Sequence, residues 1–166
     1  MTGMAEGLRP LMSSERHSWE TPDEILTLVR QLGPIRLDPC TSHENPCDAS
    51  DYFTHGGLVA SWRSKTEGLV YCNPPYGRGL GDWVQKCIVE WLGDVEIVLL
   101  TAARPDTDWY DRARRQALAW CEIKGRLTFR GAKAPAPFPS ALHYWGPKPH
   151  LFAHVFQGTG RVGVRS

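Results

Sequence analysis

The stretch Gly68-Leu69-Val70-Tyr71-Cys72-Asn73-Pro74-Pro75-Tyr76-Gly77 decides how the rest of the chain is interpreted. Residues 68–72 are apolar almost throughout, as expected for a parallel strand that is buried on both faces. Asn73 follows at once and places a side-chain amide at the end of that strand. Two consecutive prolines then fix φ, so the backbone beyond Asn73 is preset. The stretch therefore predicts a core strand that ends in a rigid polar turn.

The flanking segments predict an α/β sheet, because strand and helix signals alternate through the first two thirds of the chain. Helical spacing covers residues 21–32, 80–92 and 106–118. Strand signals cover residues 35–38, 51–54, 68–72, 95–100, 119–123, 125–129, 140–145 and 151–156. The closing strands lack long helices between them, so we expect a mostly parallel sheet with an antiparallel C-terminal edge.

The first helix carries its own start and stop signals. Thr21 can cap the helix, Pro22 suits the first helical position, and Glu24 follows Thr21 by three residues as in a capping box. Gly33-Pro34 should end it.

Asp38 and Asn73 share one placement, since each falls at the carboxyl end of a predicted strand. Ligands of open α/β sheets bind outside those ends. Both residues are therefore site candidates on physical grounds alone.

Asn73-Pro74-Pro75-Tyr76 fits the chemistry of methylating an aromatic amine. Such a nitrogen is a poor nucleophile because its lone pair is delocalised into the ring. The Asn73 side-chain oxygen and the Pro74 carbonyl can each accept a hydrogen bond from one of the two N–H groups of the amine. These hydrogen bonds free the lone pair and stabilise the charge that develops on attack. Tyr76 can stack on a base that has left its helix.

Together, several stretches resemble the phage-type DNA N-6-adenine methyltransferase (Dam-like) family. They follow the family's order and span roughly residues 18–156. The matching stretches are Trp19-Glu20-Thr21-Pro22, Leu37-Asp38-Pro39-Cys40, Asp51-Tyr52-Phe53-Thr54, Val70-Tyr71-Cys72-Asn73-Pro74-Pro75-Tyr76-Gly77, Gly125-Arg126-Leu127-Thr128-Phe129 and Ala136-Pro137-Phe138-Pro139-Ser140.

The resemblance implies a reduced Rossmann-like sheet that binds S-adenosylmethionine and an enzyme that methylates adenine N6 in DNA. It places Thr21 and Pro22 near the methionine end of the cofactor and Asp38 at or near its ammonium group. Asp51, an acid after the second predicted strand, is the candidate for contacts with the ribose or adenine. The implied catalytic residues are Asn73, Pro74, Pro75 and Tyr76. The implied cofactor-binding residues are Trp19, Thr21, Pro22, Asp38, Pro39, Cys40, Asp51 and Asn73.

Three features depart from methyltransferases at large. Asp38-Pro39-Cys40-Thr41 stands in place of a glycine-rich loop. His55 stands where an acid would be expected, which puts a cofactor contact there in doubt. The span between Asp38 and Asn73 is too short for two full helix–strand units, so the sheet must be reduced.

Charge is distributed unevenly along the 166 residues. Residues 1–122 carry all 18 acidic residues and a net charge of −6, whereas the last 44 carry +7. Such asymmetry favours one face that meets a polyanion, here DNA. The predicted DNA-binding residues are Lys124, Arg126, Arg130 and Lys133.

Composition sets the remaining expectations. Residues 1–17 should be flexible and lack a signal-peptide core, residues 18–158 should form the methyltransferase domain, and residues 159–166 should be a flexible tail. We expect a cytoplasmic protein with no membrane segment and no obligate protein partner. A zinc site from Cys40, His43 and Cys47 has loose spacing and no second ligand cluster, so no metal is predicted.

Two alternatives stay open at this point. Methyltransferases that act on a glutamine side-chain amide use the same Asn-Pro-Pro-Tyr sequence, because an amide presents similar N–H geometry. A catalytically inactive nucleic-acid-binding module of the same fold is the other alternative.

Overall fold

The computed structural model describes residues 19–63 and 67–166. The predicted flexible segment 1–17 lies outside them. The strands are β1 (Ile35–Asp38), β2 (Asp51–Tyr52), β3 (Leu69–Cys72), β4 (Glu96–Ala102), β5 (Ala119–Ile123), β6 (Ser140–Trp145) and β7 (Gly160–Val164). The helices are α1 (Asp23–Val29), α2 (Leu80–Leu92), α3 (Asp108–Gln116) and α4 (Pro149–Phe156).

The strands form one sheet in the order β2-β1-β3-β4-β6-β5-β7. The first four of these are parallel to one another, and each later pairing is antiparallel. The predicted mixed α/β sheet with an antiparallel C-terminal part is therefore confirmed. β2 lies on one side of β1 and β3 on the other, so the chain reverses its direction of travel across the sheet between β1 and β3.

Burial on both faces explains the apolar central strands. All four residues of β3 are buried, and six of the seven residues of β4 are buried. One core layer packs α1 and α4 against the sheet, and the other packs α2 and α3 against the opposite face. Trp83, Val84 and Cys87 of α2 enter the second layer at helical spacing, as predicted.

Two predicted strands are wrong. Residues 151–156 belong to helix α4, in which Pro149 occupies the first turn and Phe152 and Phe156 pack together with ring centroids 4.7 Å apart. Residues 125–129 alternate between buried and exposed, which explains the prediction, but they form no ladder. The segment instead runs as an extended loop to an isolated bridge between Glu20 and Arg130.

The C-terminal residues are part of the sheet. Gly160–Val164 pairs with the whole length of β5, from Ala119 opposite Val164 to Ile123 opposite Gly160. The expectation of a flexible tail over residues 159–166 is therefore wrong, because β7 completes the antiparallel part of the sheet.

Helix α1 also differs from its prediction. Pro22 is its N-cap, and no side chain in residues 19–63 or 67–166 caps the helix, so the predicted capping box does not form. The Thr21 hydroxyl contacts Tyr71 and Asn73 instead.

The region between β1 and β3 is reduced as expected, since β2 has only two residues and no helix occurs among the described residues of 39–68. None of the helices in the described part of the chain is long and apolar enough to cross a membrane.

Candidate active site

A cavity of about 1450 Å³ opens at the sheet edge where β1, β3 and β4 end. It lies at the point where the strand order reverses, which is where open α/β sheets bind ligands. Its volume exceeds the roughly 300–1,000 Å³ of a typical small-molecule site, so it has room for two ligands side by side. The lining comes from residues 19–21, 38–43, 46–47, 54–59, 73–78 and 137–138, with single contributions from Leu26, Tyr71, Leu80, Trp83, Ala102, Arg104, Thr107 and Trp109.

Asp38 supplies a buried carboxylate at one end of the cavity. Its side chain accepts hydrogen bonds from the Cys40 backbone N–H and the Cys47 thiol, each at 3.1 Å. Burial nevertheless raises the pKa of Asp38 to about 6, because these hydrogen bonds only partly offset the loss of solvent. The carboxylate is thus mostly ionised at neutral pH and has no cationic partner among the described residues.

Asn73 is held in one orientation by two acceptors. Its Nδ2 donates to the Trp19 carbonyl at 2.8 Å and to the Thr21 hydroxyl at 3.2 Å. A backbone carbonyl can only accept, so the amide nitrogen must face Trp19. Both N–H bonds of Asn73 are used, which leaves Oδ1 as the atom available to a ligand.

Aromatic rings form the wall beside Asn73. The Tyr76 ring meets Phe138 edge to face with centroids 5.3 Å apart, and Trp19 lies 5.1 Å from the same Phe138 ring. The Tyr76 hydroxyl is buried and has no hydrogen-bond partner among the described residues. Burial raises the pKa of Tyr76, so the hydroxyl stays neutral.

Cysteine thiols lie beneath the cavity. The Sγ atoms of Cys40 and Cys72 are 3.7 Å apart. Burial raises the pKa of both thiols, so neither is a nucleophile at neutral pH. Among the described residues, no group of three or more His, Cys, Asp or Glu side chains could hold a metal ion.

The cavity brings most of the predicted site residues together. All four predicted catalytic residues line it, as do six of the eight predicted cofactor-binding residues: Trp19, Thr21, Asp38, Pro39, Cys40 and Asn73. Pro22 and Asp51 do not line it. Asp51 begins β2 and pairs with Leu37, one position before the end of that strand, so it falls short of the edge where the cavity opens.

Sequence reasoning missed two parts of the lining. Pro137 and Phe138 come from a proline-rich loop without periodicity, and Thr54–Val59 follow β2. Thr107 is the N-cap of α3, and it also lines the cavity with Arg104 and Trp109.

The predicted DNA-binding residues lie outside the cavity but at the same edge of the sheet. Residues 124–139 connect the carboxyl end of β5 to the start of β6, and the same loop delivers Phe138 to the cavity. All four predicted basic residues, Lys124, Arg126, Arg130 and Lys133, are exposed. Arg130 forms an ion pair with Asp23 at 3.3 Å.

Comparison with known protein families identifies the chain. The family model described as DNA N-6-adenine-methyltransferase (Dam) matches residues 10–140. The chain belongs to this family. The Dam match covers β1 to the start of β6, and with them every segment that lines the cavity.

This chain of the Dam family is therefore an enzyme, a DNA N6-adenine methyltransferase, and DNA is the molecule it acts on. The match gives no support to the glutamine-directed or the inactive alternative. No curated protein matches the chain at a significant level.

Proposed function

We propose that the cavity holds S-adenosylmethionine and an extruded adenine together, and that Asn73 and the Pro74 carbonyl prepare adenine N6 for direct methyl transfer. One observation carries the proposal: both N–H bonds of Asn73 are occupied, at 2.8 and 3.2 Å, so its oxygen faces the ligand space. An acceptor in that place matches an amine that has two hydrogens to donate.

The reversal of strand order between β1 and β3 supports a Rossmann-like cofactor site. In such folds the crevice at the switch point receives the nucleotide. Asp38 ends β1 at this crevice, and among the described residues no cation pairs with its buried carboxylate. A buried charge is costly unless it is paired. The ammonium group of S-adenosylmethionine would supply the missing charge, so the residues present fit this cofactor.

The two halves of the cavity then have separate tasks. Asp38, Pro39 and Cys40 would hold the methionine end of the cofactor, and the loop 54–59 would hold its other end. Tyr76 and Phe138 stand on the base side. Their rings offer a flat apolar surface to an unstacked base, and stacking of this kind contributes roughly 1–3 kcal/mol per base.

The bound cofactor supplies an electrophilic methyl group. The chain's own contribution is to orient and polarise the amine. Asn73 Oδ1 and the Pro74 carbonyl each accept a hydrogen bond from one N6 hydrogen and stabilise the positive charge that develops on nitrogen. After transfer, the methylated nitrogen loses its extra proton to solvent. The neutral thiols beneath the cavity take no part as nucleophiles, and no strong base is needed before attack.

The basic loop 124–139 supplies the DNA contact in this proposal. Lys124, Arg126 and Lys133 are exposed at the edge where the cavity opens, and phosphate contacts from such residues position DNA without reading its sequence.

Replacing Asn73 by Ala tests the proposal. Loss of one preorganised group that stabilises developing charge costs about 10²–10³ in kcat. The dissociation constant for S-adenosylmethionine, measured by calorimetry, should stay within about threefold of wild type, because in this proposal the Asn73 oxygen contacts the substrate amine rather than the cofactor. Turnover within tenfold of wild type would contradict the role given to Asn73.

A further inference from the structure

The buried hydroxyl groups of Thr21 and Tyr71 lie next to Asn73, and the mechanism proposed above assigns them no role. Thr21 is 4% exposed and Tyr71 is 1% exposed. Their oxygens are 2.5 Å apart, and Thr21 Oγ1 is also 3.2 Å from Asn73 Nδ2. The three side chains form a hydrogen-bonded chain that runs from the core strand β3 to the cavity.

We propose that Thr21, held in place by Tyr71, is a positioning residue that fixes the amide plane of Asn73 and so directs its oxygen at the substrate amine. This inference rests on the proposed role of Asn73. It gives Thr21 a task different from the contact with the cofactor's methionine end that the family resemblance implies.

The amide of an asparagine needs this kind of support. Its terminal torsion is broad, so the rotamer alone does not define the plane of the amide. The hydrogen bond to the Trp19 carbonyl determines that Oδ1, rather than Nδ2, faces the cavity. One hydrogen bond alone still leaves the amide plane free to rotate. The second bond, to Thr21, removes that freedom. Two acceptors on one NH₂ group therefore define where Oδ1 points.

The placement of Thr21 supports the same conclusion. It directly precedes Pro22, the N-cap of α1, and it is the residue that the sequence favours for capping this helix. Its hydroxyl caps nothing and is turned toward β3 instead. Helix α1 consequently has no side-chain cap among the described residues.

Tyr71 explains why the Thr21 hydroxyl keeps its direction. Burial raises the pKa of Tyr71, so its hydroxyl remains protonated and able to share a proton. Whichever oxygen donates in the Thr21–Tyr71 bond, a lone pair on Thr21 is left for Asn73. Tyr71 lies on a strand with every residue buried, which gives the chain of hydrogen bonds a rigid origin.

Thr21→Val is the main test, because it keeps the shape of the side chain and removes both hydrogen bonds. We expect kcat at saturating S-adenosylmethionine to fall about tenfold, the equivalent of one ordinary hydrogen bond. The dissociation constant for S-adenosylmethionine should stay within about twofold, and Thr21→Ser should restore kcat. Tyr71→Phe, which removes only the hydroxyl oxygen, should lower kcat about threefold, because Thr21 keeps its bond to Asn73.

Thr101→Val is the matched control. Thr101 is fully buried and bonds His143 at 3.0 Å, so its replacement also leaves a buried partner unsatisfied. It should lower thermal stability and leave kcat unchanged. If Thr21→Val fails to fold, Tyr71→Phe and Thr21→Ser carry the comparison.

Two outcomes would overturn the proposal. The first is a Thr21→Val variant with the kcat and the cofactor affinity of wild type. The second is a Thr21→Val variant with wild-type kcat but weaker cofactor binding, which would make Thr21 a cofactor ligand. Asn73→Ala, measured in parallel, separates this result from the fate of the proposed function. An inactive Asn73→Ala beside a fully active Thr21→Val refutes only the positioning role, whereas an active Asn73→Ala refutes the mechanism on which it rests.

Discussion

Cofactor binding should depend on pH through Asp38. Burial raises the pKa of this carboxyl from 3.8 to about 6. The shift of about two units means that ionising Asp38 costs about 3 kcal/mol more than in water, at about 1.4 kcal/mol per unit. In the proposed site the ammonium group of the cofactor pairs with the ionised form of Asp38, so binding should weaken as pH falls through this pKa.

The expected size follows from the fraction of Asp38 that is ionised. At pH 5, one unit below a pKa of about 6, about a tenth of the molecules carry the charge. The dissociation constant for S-adenosylmethionine should therefore rise about tenfold between pH 7.5 and pH 5. At pH 6, binding should release about half a proton, which calorimetry in two buffers of different ionisation enthalpy measures directly.

Asp38→Asn provides the control for this prediction. Removing the charge should weaken binding at pH 7.5 by about 10- to 100-fold, the usual range for a hydrogen bond to a charged group. The variant should also bind equally well at pH 5 and pH 7.5. A flat profile in the wild-type protein, or the wild-type slope in Asp38→Asn, would refute the pairing of Asp38 with the cofactor.

Two further predictions concern DNA. Tyr76→Ala should weaken productive DNA binding by roughly 1–3 kcal/mol, as judged by KM, because it removes a stacking surface. Tyr76→Phe should stay within about threefold of wild type, since the hydroxyl has no hydrogen-bond partner in the described part of the chain. Equal damage by Phe and Ala would disprove the stacking role. In a plot of log DNA affinity against log salt concentration, replacing Arg126 and Lys133 together by Gln should reduce the steepness of the slope by up to ~2, because each phosphate contact contributes about 0.9. The control is Arg115→Gln, which alters a residue paired with Asp111 on α3 and should keep the wild-type slope. An unchanged slope in the double variant would show that loop 124–139 does not contact DNA.

The central part of the fold was predictable because its signals are local. β3 shows a continuous apolar run, and α2 shows an apolar face at helical spacing. For each segment, the secondary structure predicted from its own sequence is the one found in the folded chain. The placement of Asn73 and Asp38 in the lining of one cavity was predictable for a related reason. Their position at strand ends, combined with the parallel order of the sheet, was enough to bring them to one edge.

The remaining features depend on tertiary contacts that leave no local trace. β7 contains two glycines, which weaken a strand signal, yet a side chain at Gly163 would come within 2.0 Å of the Trp120 ring. Glycine is therefore needed for close pairing, although in the sequence it indicates a tail. Phe138 reaches Tyr76 only through the path of a proline-rich loop. Asp51 pairs with Leu37, one residue before the cavity end of β1, and the sequence does not specify this register.

Trp19 links two parts of this enzyme. Its carbonyl accepts a hydrogen bond from the Asn73 amide, and its ring packs against Phe129 and Phe138 of the loop that carries the exposed basic residues. In the proposed complex, movement of this loop on DNA binding would reach the Asn73 side chain through Trp19. Substitutions made in the loop to change target choice should then alter turnover as well, so selection schemes for new variants should score both properties at once.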